Sequence, residues 1–276
     1  MILPFDSLIA ERYQVKELLG RGALSEVYAV HDLAENNLKA LKLLISHLLP
    51  GNYSIPSLMN QIEASFNMNH PNIVPVNEIG STQEGIFITM PLIRGKNLKN
   101  WIEKTELSHQ KALRAMISLI EDIGGAIDYA HSRGIIHRDI KPSNIMIDKK
   151  EKFHLLDFGA AIFRDHGLSQ HETLYLGTPP YYPPRKFLDQ NKIDTRIDVY
   201  SFAYIIGELI ECHFEQSTYL SPLLKECIAG AKLIVNDAME PVKGKKYASI
   251  KVFCKDLSDT LTAAHAEYEP YHTKNP

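Results

Sequence analysis

The sequence predicts an α+β protein built from two lobes, a strand-rich N-terminal lobe and a helical, shortened C-terminal lobe. Residues 13–94 alternate short apolar runs with turns, which is the pattern of β-strands. From Gly95 onward the apolar residues recur at helical spacing. This change of period predicts two parts of different structure with a cleft between them, and ligands commonly bind in such clefts.

Four strands and one helix are predicted in the N-terminal lobe. The strands are Tyr13 to Leu19, Val27 to His31, Leu38 to Leu44 and Ile86 to Met90. A helix from about Leu58 to Asn69 stops before Pro71. Alternation along the third strand places Lys42 on an apolar inward face, where a cation either meets an anion or extends along the surface into water. The same alternation leaves Lys39 on the other face, pointing to water.

Two helices are predicted to organise the C-terminal lobe. One carries an apolar stripe from Ala112 to Ala130 and ends before Gly134. The other, Ile197 to Ile210, is apolar on nearly every side, which predicts a helix buried at the centre of its lobe. The segment from Glu208 to Leu223 is short, so this lobe is expected to be trimmed. Residues from about Glu267 onward form a polar segment expected to be a loose tail.

The composition limits the kinds of binding partner to be expected. The chain has 276 residues, 45% of them apolar, and a formal net charge of −3, so neither nucleic acid nor an anionic membrane surface is expected as a partner. The absence of an apolar stretch of about 20 residues and of a signal peptide predicts a cytoplasmic protein, with export by a signal-less route left open. Cys212, Cys227 and Cys254 are scattered, which favours buried reduced thiols over zinc ligands or disulfides.

A glycine-rich segment follows the first strand, and its sequence is Leu19-Gly20-Arg21-Gly22-Ala23-Leu24-Ser25-Glu26-Val27. Glycines let a backbone turn tightly and bring its N–H groups close to phosphate oxygens. An ordinary hairpin turn explains the same residues, since Ser25 stands where a third glycine is usual. The strand that follows argues against a dinucleotide-binding fold, in which a helix follows the glycines.

The run His137-Arg138-Asp139-Ile140-Lys141-Pro142-Ser143-Asn144 carries three side chains suited to phosphoryl transfer. Asp139 can accept a hydroxyl proton, Lys141 can neutralise charge on the moving phosphoryl group, and Asn144 is an oxygen ligand for a hard cation. Asp157, before Phe158 and Gly159, adds a carboxylate at the end of a short apolar strand. Asn144 and Asp157 together suit Mg²⁺ that is also bound to phosphates.

With these motifs in this order, the chain resembles the protein kinase family from about Tyr13 to Leu261. The resemblance implies the two-lobed protein kinase fold, with a catalytic domain at 13–263, lobes at about 13–93 and 94–263, and short extensions at 1–12 and 264–276. It also implies ATP and Mg²⁺ as cofactors.

The same resemblance assigns roles to individual residues. It implies that Asp139, Lys141 and Lys42 are catalytic and that Asn144 and Asp157 bind the metal. The positions implied for nucleotide binding are Leu19, Gly20, Arg21, Gly22, Ala23, Leu24, Ser25, Val27, Ala40, Lys42, Met90, Leu92 and Met146.

The type of substrate follows from the resemblance as well. Lys141 together with Gly177-Thr178-Pro179 is similar to serine/threonine kinases, which implies a protein substrate and a hydrogen bond from Thr178 toward Lys141 and Asp139. Ser169 and Thr173 are candidates for autophosphorylation, with plain solvated hydroxyls as the alternative. Nothing in the sequence indicates the oligomeric state.

Asp198 lies near the start of the buried helix. There its carboxylate is expected to accept hydrogen bonds from the backbone of the run 137–144.

Two departures from the family pattern leave alternatives open. The position of the glutamate that pairs with the strand lysine holds Gln61, and Glu63 lies about 200° further around the helix. Arg185 stands where a glutamate is usual and Lys246 where its arginine partner is usual, so two cations are expected to face each other. Both changes favour the alternative of a pseudokinase or nucleotide-binding scaffold, and the complete catalytic set opposes it. A small-molecule kinase is a third possibility.

Overall fold

The computed structural model describes residues 2–22, 25–45, 66, 68–158, 162–163, 178–184, 194–215, 220–240 and 246–268. The chain divides into two compact units, one made of residues 1–69 and 74–94 and the other of residues 70–73 and 95–276. The first is strand-rich and the second mainly helical, so the predicted α+β, two-lobed class is confirmed.

The first unit contains one antiparallel six-stranded sheet in the order β1-β2-β3-β4-β6-β5. Its strands are β1 (Leu8–Ile9), β2 (Tyr13–Arg21), β3 (Ser25–Asp32), β4 (Asn37–Ile45), β5 (Glu78–Ser81) and β6 (Gly85–Pro91). The four predicted strands are confirmed as β2, β3, β4 and β6. The strands β1 and β5 were not predicted, because two to four residues are too few to show an alternating pattern. Most of the predicted helix 58–69, with Gln61 and Glu63, lies outside the described residues.

Both faces of this sheet carry buried apolar side chains. One face supplies the larger cluster, formed by Ile9, Tyr13, Val15, Tyr28, Val30, Leu41, Leu43 and Phe87. In it the rings of Tyr13 and Phe87 meet edge-on at 5.5 Å. On the other face Leu44 and Ile88 pack together. A lysine on either face of β4 therefore lies in apolar surroundings, so its charge needs an anion close by.

Lys39 meets this requirement, and its position differs from the one predicted from the sequence. Its side chain is only 6% exposed, and its Nζ lies 2.8 Å from carboxylate oxygens of both Asp32 and Glu35. Arg12 donates two hydrogen bonds to Asp32, at 2.7 and 2.8 Å, and a third to Glu78 at 2.9 Å. The expectation that Lys39 points to water is wrong, because the buried carboxylate of Asp32 needs both cations.

Replacement of Asp32 by asparagine is expected to lower the free energy of unfolding by about 2 kcal/mol at neutral pH, because hydrogen bonds from charged donors are lost. The hydrogen bonds from Arg12, aided by those from Lys39, lower the pKa of Asp32 despite its burial. A carboxyl group with a lowered pKa stabilises the fold above its unfolded pKa of about 4, and this contribution disappears as the pH falls through the folded value.

The difference between wild type and Asp32→Asn should therefore shrink below about pH 4, as measured by urea unfolding across a pH series. Asp6→Asn is the matched control, since Asp6 forms an exposed pair with Lys16 at 2.7 Å and should change stability by less than about 0.5 kcal/mol. Equal effects of the two substitutions would contradict the structural role assigned to Asp32.

The second unit contains five short strands and five α-helices in the described part of the chain. The strands are β7 (Gly95–Asn97), β8 (Ile135–Ile136), β9 (Ile145–Asp148), β10 (Phe153–Leu155) and β11 (Ile162–Phe163). The helices are α1 (Leu98–Lys104), α2 (His109–Ser132), α3 (Arg196–Ile210), α4 (Pro222–Met239) and α5 (Ile250–Tyr268). Gly95 thus opens a strand rather than a helix, because β7 pairs with β9.

The two predicted helices of this unit are confirmed as α2 and α3. Apolar residues from Ala112 to Ala130 are buried along one face of α2, and α3 is buried on almost every side. Gly124 permits the close packing of α2 on α5, since a Cβ at this position would lie 2.4 Å from the Sγ atom of Cys254. A short π-helix, Glu211–Glu215, continues directly from α3.

The cysteines and the chain ends differ in part from expectation. The three cysteines, all in the described part of the chain, form no disulfide, but Cys212 is exposed, so the expectation of buried thiols is wrong for it. Burial raises the pKa of Cys254 to about 12.

Because α5 continues to Tyr268, the predicted tail cannot begin at Glu267, and residues 269–276 lie outside the described part. None of the helices that the structure describes is long and apolar enough to cross a membrane.

Candidate active site

Asp198 in the first turn of α3 holds the start of the run 137–144. Its buried carboxylate accepts hydrogen bonds from the backbone N–H groups of His137 and Arg138, each at 2.8 Å. Nε2 of His131 lies 2.8 Å from the same group. Burial alone would raise the pKa of Asp198, but hydrogen bonds from His131 and from the backbone outweigh it and lower the pKa. The expected role of Asp198 is confirmed.

The imidazole of His137 joins this run to the segment that carries Asp157. The backbone N–H of Asp139 points to Nδ1 at 3.3 Å, so Nδ1 is the acceptor and Nε2 carries the proton. Nε2 then donates to the carbonyl of Leu156 at 3.0 Å. The N–H of Leu156 in turn donates to the carbonyl of Asn144 at 2.8 Å. These bonds fix the backbone on both sides of Asp139.

The carboxylate of Asp139 is surrounded by three donor side chains. Nζ of Lys141 lies 2.7 Å from Oδ2, and the hydroxyl of Thr178 donates to Oδ1 at 3.0 Å. Lys141 also donates to the hydroxyl of Thr178 at 2.9 Å, which confirms the hydrogen bonds expected of that threonine. The third donor is the amide of Asn144, which bonds the backbone carbonyl of Asp139 at 2.8 Å and Oδ2 at 3.0 Å. The side chain of Asp139 keeps 19% of its surface exposed, so a hydroxyl group can reach it.

Asn144 and Asp157 have the donor atoms that Mg²⁺ requires. Both hydrogen bonds of the Asn144 side chain use its amide nitrogen, which leaves the amide oxygen for a cation. Asp157 follows Leu156, whose backbone is bonded to Asn144, and it has a φ angle of 62°. Non-glycine residues rarely adopt this conformation, and it is found preferentially at functional sites. One amide oxygen and one carboxylate fit a magnesium ion whose other ligands are phosphates and water.

In the first unit, strand register places five of the predicted nucleotide residues on one face of the sheet. Val27 lies opposite Gly20 on β2 and opposite Lys42 on β4. Ala40, two residues before Lys42, pairs with Met90 on β6. Opposed residues and residues two apart share a face, so all five positions look to the same side. Leu92 follows β6 in this unit, whereas Met146 lies in β9 of the second unit.

Gly20 is placed where a phosphate could approach the backbone. A Cβ built on Gly20 would have no atom within 4 Å among the described residues, so packing does not require glycine there. The turn is closed by a hydrogen bond of 2.8 Å from the N–H of Gly22 to the carbonyl of Ser25. Open space beside a glycine on the face that carries Lys42 fits a phosphate group. Ala23 and Leu24 lie outside the described residues.

Arg21 and Lys246 have carboxylate partners that the sequence did not predict. Arg21 lies opposite Glu26, and this pair alternates with Gly20 and Val27, so its side chain belongs to the other face of the sheet from Lys42. Only its backbone remains a candidate for nucleotide contact. Lys246 forms an ion pair with Asp256 at 3.0 Å, and Arg185, the cation that it is predicted to face, lies outside the described residues.

Several predicted positions lie outside the described residues, and one contact was missed. The positions outside are Gly159, Ser169, Thr173, Gly177 and Arg185. The contact of His131 with Asp198 was missed because a histidine in the last turn of a helix is readily explained as a favourable charge at the C-terminus. A polar residue next to the buried face of α2 was the only signal available.

Solved structures identify the fold. The kinase domain of Mycobacterium tuberculosis PknI, in a crystal structure of its C20A_R136A double mutant, matches 95% of this chain and 100% of that chain with a TM-score of 0.73 at 22% sequence identity. The crystal structure of the PknI kinase domain without these substitutions matches with a TM-score of 0.69. The chain therefore has a protein kinase fold.

The sequence comparison gives the family. The profile of the protein kinase domain family matches residues 13–263, and the chain belongs to this family. It is 29% identical over 234 residues to the serine/threonine-protein kinase PknD of Chlamydia muridarum, covering 74% of this chain and 25% of that protein. It is 28% identical over 266 residues to the probable serine/threonine-protein kinase PknB of Lactococcus lactis, covering 95% of this chain and 42% of that protein. The chain thus spans less than half the length of these curated relatives.

Proposed function

We propose that the protein transfers the γ-phosphate of ATP to serine or threonine hydroxyls of protein substrates. The observation that carries the proposal is the Asp139 carboxylate, with Lys141 Nζ at 2.7 Å and the Thr178 hydroxyl at 3.0 Å. An accessible carboxylate beside a fixed cation is what an attacking hydroxyl needs, since it must lose a proton while negative charge moves between oxygens. Membership in the protein kinase domain family supports the same reaction.

Each side chain of this group has a proposed task. Asp139 accepts the proton of the attacking hydroxyl, and Lys141 neutralises charge on the phosphoryl group. Thr178, held by both, shapes the acceptor site for a small aliphatic hydroxyl. Asn144 and Asp157 would hold Mg²⁺, which supplies positive charge to the phosphates when it is bound.

The nucleotide is proposed to use the face of the first unit's sheet that carries Val27, Ala40 and Met90, with Leu19 and Leu92 as further apolar contacts. Lys42 lies on the same face and would bind phosphate oxygens. The backbone from Gly20 to Ser25 would approach the phosphates, because Gly20 leaves open space there.

Transfer of label from γ-³²P-ATP with Mg²⁺ to dephosphorylated casein tests the proposal. Mass spectrometry of the product should find phosphoserine or phosphothreonine. Asp157→Ala is expected to lose transfer while remaining folded by circular dichroism, because a proposed metal ligand is lost. Full transfer or autophosphorylation by Asp157→Ala would overturn the assignment. Nucleotide binding by a wild-type protein that transfers no phosphate would favour the scaffold alternative, to which Gln61 and Arg185 point.

A further inference from the structure

The segment before the family-matched region is part of the sheet of the first unit. This N-terminal segment, residues 2–9, pairs with β2 through β1 and through backbone hydrogen bonds of 2.8 Å from Asp6 to Val15 and 2.9 Å from Val15 to Ser7. Leu3 packs against the larger apolar cluster of the sheet. The family profile begins at residue 13, so this segment lies outside the residues that the profile matches.

A chain of polar contacts runs from this segment into the glycine-rich turn. The backbone N–H of Leu3 donates to the hydroxyl of Tyr28 at 3.1 Å, and that hydroxyl donates to Oε2 of Glu26. Nε of Arg21 lies 3.1 Å from the other carboxylate oxygen of Glu26. Burial, reinforced by the bond to Glu26, raises the pKa of Tyr28 to about 12. Tyr28 therefore keeps its single proton, which it gives to Glu26 while accepting from Leu3.

The position of this chain in the sheet explains what it can hold. Glu26 is 1% exposed and lies directly opposite Arg21, which stands between Gly20 and Gly22. The pair lies on the face of the sheet away from Lys42, so the guanidinium group is not directed toward the nucleotide face. Because the Arg21 side chain is held by Glu26 on the face away from Lys42, the backbone of the turn and the open space at Gly20 face the nucleotide side.

Glu26 is a buried carboxylate at the base of the turn, so it depends on hydrogen-bond donors within the protein. If Tyr28 lost its hydroxyl, Glu26 would lose a hydrogen bond inside the sheet, and a buried acceptor in that condition is driven toward water. The start of β3 and the glycine-rich turn would move together with Glu26, because Gly22 and Ser25 close the same hairpin. The effect is therefore expected at Gly20 to Gly22 rather than in the body of the sheet.

We propose that Glu26 and Tyr28 are positioning residues that tie the glycine-rich turn to the N-terminal segment and so set the affinity for nucleotide. The inference rests on the proposed function, in which this turn approaches the phosphates of ATP. Phosphate binding by a backbone turn depends on N–H groups that are already in place, so a loosened turn binds nucleotide less tightly. The transfer step, which uses residues of the second unit, is expected to be unaffected once ATP is bound.

Glu26→Gln and Tyr28→Phe test this proposal with little change of volume. Both are expected to raise the KM for ATP about three- to tenfold and to weaken binding of a fluorescent ATP analogue equally, with kcat within about twofold of wild type. Asp6→Asn is the control, since it alters an ion pair of the same N-terminal segment that does not reach the turn. Its KM and kcat should equal those of wild type.

The results separate a structural role from a positioning role and from failure of the proposed function. Tyr28→Phe and Glu26→Gln proteins that have lower melting temperatures but the wild-type KM and analogue affinity would overturn the inference. If Glu26→Gln does not fold, Tyr28→Phe decides, because it retains the ion pair with Arg21. Weakened analogue binding by both variants, in a protein whose wild type transfers no phosphate, would support the positioning role and overturn only the proposed transfer.

Discussion

Replacement of Asp139 by asparagine is expected to lower kcat for phosphotransfer by about 10²–10⁴-fold, which is the usual contribution of a general base. The carboxamide oxygen can still accept the hydrogen bond from Thr178, whereas the amide group that replaces Oδ2 cannot accept from Lys141 or Asn144. What disappears is the negative charge that takes up the proton and faces Lys141. The KM for ATP should change little, because Asp139 is not among the residues proposed to bind nucleotide.

Initial rates at saturating ATP and acceptor measure the effect, and thermal unfolding checks that the variant remains folded. Asp148→Asn is the control within the same unit, since Asp148 caps a turn through the N–H groups of Lys150 and Lys152 and should leave kcat unchanged. An Asp139→Asn protein that retains more than about a tenth of the wild-type kcat would contradict the role of the carboxylate as the base.

The chemistry of the run 137–144 could be predicted from sequence because its partners are close in the chain. Asp139, Lys141 and Asn144 lie within six positions, and the structure joins them by direct contacts. The bond to Thr178 spans 39 positions, and only the resemblance to a known family supplied it. The four longer strands of the first unit, β2, β3, β4 and β6, could be predicted equally well, since alternation over five or more residues is a local property.

Other features could not be predicted because they depend on residues far apart in sequence or on both faces of an element. Alternation assigns one face of β4 to the core, and it failed for Lys39 because the opposite face is also covered. The partner of Lys39, Asp32, is satisfied in addition by Arg12 from outside the predicted domain. Likewise, family position gave no indication that Lys246 pairs with Asp256 of the helix α5.

Asp198→Ala is expected to lower the free energy of unfolding by about 3–5 kcal/mol at neutral pH, as when one partner of a buried charged group is removed. Two backbone N–H groups and His131 would lose their acceptor in the interior of the second unit. The pKa of Asp198 is lowered in the folded protein, so its stabilisation is present above the unfolded value of about 3.9. That stabilisation is lost as the pH falls through the folded pKa, and the difference from wild type should narrow there.

Urea unfolding at pH 7 and at lower pH measures this effect, with Asp259→Asn as an exposed control, since Asp259 pairs with Lys255 on the surface of α5. A loss of less than about 1 kcal/mol for Asp198→Ala would contradict the anchoring role. Because Asp198 bonds the backbone of the residue immediately before Asp139, stability and kcat should fall together in this variant. Asp139→Asn should separate the two quantities, since it changes the charge and leaves the anchor intact. A pair of variants that differ in this way distinguishes the reacting carboxylate from the carboxylate that holds it in place.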